Sequence, residues 1–368
     1  MNYDYDVIVL GAGSGGLIAT IRATKLGAKV MLIESEKMGG DCLNYGCVPS
    51  KSFLKPAHLA HKCKEASKYG LMDVDYKTDM KKVMGYVRSV VKEIEPHDSK
   101  ERYERDFGAT VIMGKGIVKS QHDVEVDGIN YTTNRIIIAT GSTAQVPNIS
   151  GLNEVKYYTN NNIFTLEYSP KKMVVLGAGT IGIELGQGFS HLGSEVNMVD
   201  FAETIFQKDE PEVAEVMKEK LERDGMHLHL GYKIEKILNE GTEIAVYICK
   251  NEEIKKIMCD TLLVALGRKP NTFGMGLDEI GVKLDGKGYI LVDEYLETNI
   301  DGIYAVGDCK GKFMFTQAAG YEATVAVKNA ISEEVEKVAY YNMSWCTYTV
   351  PEVAHIGYLE EVAKKDEV

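Results

Sequence analysis

The chain is short of positive charge. It has 42 Lys and Arg against 54 Asp and Glu, a formal net charge of −12 over 368 residues. Nucleic-acid affinity rests largely on neutralising phosphates, so this balance argues against a nucleic-acid partner. No apolar run approaches the roughly 20 residues a membrane helix needs, and a membrane role is not expected. The opening Met1-Asn2-Tyr3-Asp4-Tyr5-Asp6 lacks the basic stretch of a secretory signal. Cysteine is scarce and odd in number, seven in all. So few in a chain of this length do not make a secreted disulfide scaffold. The expectation is a cytoplasmic protein with mostly reduced thiols. The length suggests two to three domains.

Glycine, in contrast, is abundant, with 36 residues in clusters that repeat. Residues 7–34 read VIVLGAGSGGLIATIRATKLGAKVMLIE and residues 174–200 read VVLGAGTIGIELGQGFSHLGSEVNMVD. The two align without a gap, Gly11 on Gly177 and Glu34 on Asp200. Each copy is an apolar strand, a glycine turn, a helix, a Leu-Gly stop and a second strand ending in an acid. A shorter echo pairs residues 136–141, ending Ala139-Thr140-Gly141, with residues 262–267, ending in Gly267. Two related α/β domains of Rossmann-like architecture are the simplest account.

Between these landmarks, helices are expected over 51–69, 78–94, 212–223 and 317–331. A further short helix should start at Pro96 and run through Arg105. Turn signals divide 116–138 into short strands, and 226–264 is strand-rich. Strands are also expected over 345–349 and 353–358.

Gly11, Gly13 and Gly16 fit GxGxxG, with Ser14 and Gly15 between them; Gly177, Gly179 and Gly182 repeat it, with Ile181 inside. The first glycine permits the tight turn, the second lets a pyrophosphate approach the backbone, and the third lets helix pack on strand. The helix that follows offers free N–H groups and a positive dipole end to the phosphates. Glu34 and Asp200 stand where a carboxylate binds ribose hydroxyls. Asp200 also bears on cofactor choice, because a 2′-phosphate beside it would meet like charge. At about 4 Å that costs roughly 1 kcal/mol in water-like surroundings and about 4 kcal/mol at intermediate dielectric. NAD is therefore favoured over NADP.

Cys42 and Cys47 lie in Gly39-Gly40-Asp41-Cys42-Leu43-Asn44-Tyr45-Gly46-Cys47-Val48-Pro49-Ser50-Lys51. The CxxxxC spacing is not that of a zinc ribbon, and no second Cys/His pair lies nearby, so no metal site is expected. As a structural crosslink the pair would close a short loop worth only about 2 kcal/mol. A redox-active pair is the remaining reading. A helix start at Pro49 or Ser50 would lower a neighbouring thiol pKa.

These motifs occur in a fixed order: GxGxxG, Glu34, GGDCLNYGCVPSK, Ala139-Thr140-Gly141, a second GxGxxG with Glu184, Gly267-Arg268-Lys269-Pro270-Asn271 and Gly307-Asp308. The chain thus resembles the class I pyridine nucleotide–disulfide oxidoreductases, the group of dihydrolipoamide dehydrogenase, glutathione reductase and mercuric reductase. The resemblance implies FAD on the first fold, at Gly11–Gly16, Glu34, Gly40, Thr140, Gly141 and Asp308. The helix opening near Gln317 and Ala318 would face the flavin. It implies NADH on the second fold, at Gly177, Gly179, Ile181, Gly182, Asp200, Gly267 and Arg268. Lys51 and Glu184 match an ion pair beside the flavin. Electrons would run from NADH through FAD to Cys42–Cys47. Cys47 would be the thiolate facing the flavin, and Cys42 the thiol that meets a disulfide, a dithiol or a soft metal ion.

By the same resemblance, residues 1–150 would bind FAD, 151–272 would bind NAD, and 273–335 would complete the FAD fold. Residues 336–368 would begin an interface domain that is otherwise missing. A family-type homodimer, and a histidine–glutamate pair for thiol exchange, would then belong to a longer chain. His355 is expected to be structural, and slow disulfide turnover is expected of this chain alone. Asp200 disfavours a glutathione-reductase-like enzyme. Dihydrolipoamide dehydrogenase-like and mercuric reductase-like activities both stay open, beside a flavin-binding chain with little turnover.

Overall fold

The computed structural model describes residues 3–71, 74 and 76–365. Its contacts divide the chain into two α/β units, each built from three stretches of sequence.

The first unit comprises Met1–Asn44, Val91–Thr143 and Arg268–Tyr340. Its sheet runs in the order Thr110–Met113, Val30–Glu34, Tyr5–Leu10, Ile129–Ile138, Asp123–Val126, Gly116–Val118, and Ile303–Ala305 also pairs with Ile129–Ile138. Tyr5–Leu10 is parallel to both neighbours, with Ile8 opposite Met31 and Ile136. A strand covered on both faces needs apolar residues in succession, which is what VIVL supplies. Val7 and Val9 pack with Leu17, Ala19 and Ala23 of the helix Ser14–Lys25 and with Ala323, Ala326 and Ala330 of the helix Thr316–Ile331. Ile8 and Leu10 point the other way, into Val118, Val124 and Ile290.

The second unit comprises Tyr45–Val90, Ala144–Gly267 and Tyr341–Val368. Four parallel strands run in the order His227–Leu230, Glu195–Asp200, Lys172–Leu176, Thr261–Val264. Val174 and Leu176 meet the antiparallel sheet formed by Lys233–Glu240, Glu243–Lys250 and Glu253–Cys259. Met173 and Val175 face helices, among them Cys47–Glu65 and Thr180–His191.

The linear boundaries at 150, 272 and 335 do not coincide with these units. Residues 45–90 leave the first glycine fold for the second unit, and Arg268–Thr272 join the first. The described part of the tail belongs to the second unit. Trp345 Nε1 donates to Asp209 at 2.9 Å, and Gln187 exchanges two hydrogen bonds with the Val350 backbone. Local boundaries shift as well. The helix expected from residue 51 begins at Cys47, and Ala66–Tyr69 is a 3₁₀ turn. Pro96 lies in a second 3₁₀ turn, and Ser99 caps a separate helix, Lys100–Phe107. Asp366, Glu367 and Val368 lie outside the described residues.

The helices Cys47–Glu65 and Thr180–His191 approach closely because Gly188 has no side chain. A Cβ there would lie 2.6 Å from Phe53 Cε1 and 3.1 Å from Leu54 Cδ2. Phe53 cannot withdraw, since its buried ring packs on Phe189 at 4.7 Å and on Phe164 at 6.3 Å. Gly188→Leu is expected to cost about 1–3 kcal/mol through overpacking. Urea unfolding checks this; an unchanged midpoint would contradict the packing described.

Candidate functional site

The first glycine turn leaves the strand Tyr5–Leu10 with Gly11 at φ +99°, and a Cβ there would stand 2.5 Å from the Ala139 carbonyl oxygen. A Cβ on Gly16 would overlap the Gly11 carbonyl at 1.7 Å, so the helix Ser14–Lys25 can start this near its strand only with glycine. Gly40, at φ +56°, closes on Gly13; its Cβ would come within 2.6 Å of Gly13 Cα. The buried Glu34 carboxylate accepts the Ala12 N–H at 2.6 Å and the Glu36 N–H at 2.7 Å. Gly141 follows at φ +68°, and beside it the Thr140 hydroxyl is buried with no hydrogen-bond partner among the described residues. A backbone-lined turn, a carboxylate at the strand end and an orphaned buried hydroxyl fit a dinucleotide.

Asp308 and Arg268, far apart in sequence, meet in this unit. The Ser142 hydroxyl donates to Asp308 Oδ2 at 2.6 Å, and Arg268 Nε donates to the Ser142 oxygen at 2.7 Å. Arg268 also lies 3.2 Å from Asp41 Oδ1. The Asp308 turn is fixed from behind by Glu322, which accepts the Gly307 N–H at 2.7 Å and the Tyr340 hydroxyl at 2.7 Å. Lys310 Nζ lies 2.8 Å from Glu322, both side chains being at most 3% exposed. A buried ion pair survives only when its remaining polar atoms are satisfied, and here they are. Burial, with Glu322 beside it, pushes the Tyr340 pKa up and keeps its hydroxyl proton for donation. The helix Thr316–Ile331 carries Gln317, exposed, and Ala318, buried, in its first turn.

The second unit repeats the turn. Gly177 sits at φ +107°, and its Cβ would lie 2.3 Å from the Ala265 oxygen; that of Gly182 would lie 2.0 Å from the Gly177 oxygen. Nothing crowds Gly179, and Ile181 is half-buried. Asp200, buried at its strand end, accepts the Ala178 N–H at 2.6 Å and the Ala202 N–H at 2.9 Å. Gly267, at φ +104°, accepts the Gln145 N–H at 2.9 Å. The same turn and strand-end acid fit a second dinucleotide.

Cys42 lies in the short helix Gly40–Asn44, and Cys47 opens the helix Cys47–Glu65; both are half-buried. Cys47 thus occupies the first helical position, where backbone N–H groups lack intrahelical acceptors and favour a thiolate. Lys51 follows one turn later, at the i+4 spacing that shares a helix face. Its Nζ lies 3.0 Å from Glu184 Oε2 and 4.4 Å from the Tyr348 ring centre. The Tyr348 N–H donates to Glu184 Oε1 at 2.8 Å. Glu184 is 5% exposed and Lys51 36%, so the carboxylate is fixed and the cation still reaches solvent.

Spacing along the chain gave no sign of Ser142, Asp41 or Tyr348 as members of these networks, because each acts on a partner distant in sequence. The remaining thiols divide by burial. Burial pushes Cys259 and Cys309 up to about 12, and Cys309 donates to the Val306 and Ile138 carbonyls. Burial, with Glu352 next, also raises Cys346. His355 stacks on Trp345 at 4.0 Å, and its Nε2 lies 3.0 Å from the Gly357 oxygen, a structural setting.

The pyridine nucleotide-disulphide oxidoreductase family matches residues 5–323. A mercuric reductase of Bacillus cereus is 35% identical over 367 residues, 99% of this chain and 58% of that protein. A dihydrolipoyl dehydrogenase of Thermus scotoductus is 33% identical over 364 residues, 98% of this chain and 78% of that protein. The chain therefore spans less than two thirds of the mercuric reductase. Among solved structures, the HOCl-induced flavoprotein disulfide reductase of Escherichia coli superposes with a TM-score of 0.86 at 24% identity, over 98% of this chain and 79% of that one, a likeness of fold. With both glycine turns, the Cys42/Cys47 motif and a family match over most of its length, the chain belongs to the pyridine nucleotide-disulphide oxidoreductases.

Proposed function

We propose that the chain moves electrons between NADH and a dithiol or disulfide through Cys42 and Cys47, as a dihydrolipoyl dehydrogenase-like enzyme. Proteins of this family use FAD and NAD(P)H. The observation that carries the proposal is the helix start that puts Cys47 one turn from Lys51, with Lys51 paired to a buried Glu184. Bound FAD would supply the two-electron relay between nicotinamide and the cysteine pair. Gly11, Gly13, Gly15, Gly16 and Glu34 would hold it, with Ser14, Gly40, Thr140, Gly141, Asp308, Gln317 and Ala318. Gly177, Gly179, Ile181, Gly182, Asp200 and Gly267 would hold the nicotinamide cofactor, while Arg268, paired with Asp41 and bonded to Ser142 beside Asp308, would serve the FAD fold instead.

Lys51 is a cation placed in advance where negative charge develops, which costs no reorganisation during the reaction. Glu184, itself fixed by the Tyr348 amide, is the positioning residue that holds it. At the sulfur end, the Cys42 thiolate attacks a substrate disulfide, forms a mixed disulfide and releases one substrate thiolate. Cys47 then attacks Cys42, closing the Cys42–Cys47 bond and releasing the second substrate thiolate. Each released thiolate takes a proton from solvent. Oxidation of a dithiol runs the same exchange in reverse.

The sequence relationship to a mercuric reductase favours a second reading, in which the pair reduces a soft metal ion, since thiolates select such ions. Mercury(II)-dependent NADH oxidation, absent with lipoamide, would select it.

Anaerobic NADH titration of the FAD-loaded chain is expected to raise a long-wavelength charge-transfer band. Cys47→Ser should abolish it, and Cys42→Ser should retain it; normal flavin reduction without any band would discard the redox pair. Lys51→Met is expected to slow flavin reduction about 10²–10³-fold, the range for losing one preorganised donor, with FAD content unchanged. An unchanged stopped-flow rate would remove Lys51 from the chemistry. NADH should exceed NADPH in kcat/KM by between about fivefold and about a thousandfold, and Asp200→Asn should narrow the ratio. Equal use of both would contradict the role given to Asp200.

A further inference from the structure

The second unit holds a cluster of side chains that the redox chemistry does not use. The His61 and His191 rings stack with centroids 4.1 Å apart and planes at 22°, and His58 meets His191 edge-on at 6.2 Å. His61 is 6% exposed and His191 3%. Both nitrogens of His191, and Nε2 of His58 and of His61, are buried without a hydrogen-bond partner among the described residues. Asp224 Oδ2 lies 3.7 Å from His191 Nε2, too far for a hydrogen bond. Glu65 Oε2 lies 3.2 Å from His61 Nε2 without hydrogen-bond alignment. Buried polar atoms are nearly always paired. Four orphaned nitrogens in one place call for a partner of another kind.

The local sequence favours one. His58, His61 and Glu65 are spaced by three and four residues, so they share one face of the helix Cys47–Glu65. Burial lowers the pKa of His58 and His61, and burial followed by the nearby His61 brings His191 to about 3. The rings are therefore neutral, each with a lone pair to give. One donor atom from each of His61, His191 and Asp224 lies within 4.8 Å of the others.

We propose that His61, His191 and Asp224 bind a divalent cation of the zinc class, with Glu65 or water as the fourth donor. Two imidazoles and a carboxylate are the donor set such a borderline ion prefers. A tetrahedral ion with bonds of 2.0–2.1 Å sets its donors about 3.3 Å apart. Binding draws the donors together by up to about 1.5 Å from where they stand. Lys220 is the built-in competitor: its Nζ donates to both Asp224 oxygens, at 2.6 Å to Oδ2. At 20% side-chain exposure it can withdraw to solvent.

The role of the site follows from the helices that build it. The helix Cys47–Glu65 carries Cys47 and Lys51 at one end and His61 at the other; Thr180–His191 carries Glu184 early and His191 last. His61 stands ten residues, about 15 Å of helix, beyond Lys51. A cation there clamps the pair of helices that sets the Lys51–Glu184 geometry, outside the path of electrons.

The test is calorimetric titration of Zn²⁺ into the FAD-loaded Cys42→Ser/Cys47→Ser chain, which removes the thiol pair as a competing site. One equivalent should bind. His61→Gln and His191→Phe should each weaken binding at least about tenfold, the scale already reached by losing outer-shell partners. Lys220→Met, which leaves the core intact, should tighten binding several-fold by freeing Asp224. Far-UV circular dichroism verifies that each variant folds. Absence of saturable one-to-one binding overturns the proposal, as does an affinity that none of the three substitutions alters.

Discussion

The second unit depends on how near two helices can come to each other. Gly188 removes the side chain that would hold them apart, and Phe53 fills the space against Phe189. That contact places Lys51 against Glu184 at one end and His61 against His191 at the other. A charge pair of this kind gains from fixed geometry: Glu184 is buried and held by a backbone amide, so the flexible lysine has one strong partner. The packing is apolar and non-directional, yet it sets the direction of a polar interaction.

A second constraint recurs in both units. Each glycine turn is followed, one helix and one strand later, by a carboxylate that turns back to accept the amide next to the first glycine: Glu34 to Ala12 and Asp200 to Ala178. The acid therefore ties turn to strand before any ligand is considered. Its oxygens keep lone pairs for further donors, so one residue serves both folding and recognition. Both carboxylates are buried and doubly bonded to amides, which repays much of the cost of removing a charge from water.

The parts legible in the sequence were those written in local periodicity. Gly11 and Gly177, with the acids that follow them, announced both parallel folds, and the Cys42/Cys47 motif announced itself. The helix start at Cys47 lay two to three residues before the predicted Pro49 or Ser50, because the proline sits inside the first turn, where its missing N–H is harmless. The boundaries of the units were not legible. The strand Ile303–Ala305 pairs with Ile129–Ile138 across more than a hundred residues, and no local pattern records that pairing. Ser142 and Tyr348 escaped for the same reason. Nothing in the local pattern singles out His61 and His191, which meet only across two helices.

The interleaving of the two units bears on how the chain acquires its structure. The first sheet lacks a strand until Ile303–Ala305 has been synthesised, and its helical cover lacks Thr316–Ile331 until later still. Neither unit can close as an independent N-terminal domain on the ribosome, the order that many multidomain chains follow. High sequence separation between partners also slows closure, since loop entropy is spent before the contacts repay it. The nascent chain therefore holds the apolar strand Tyr5–Leu10 short of its full cover until residues 303–331 have been made.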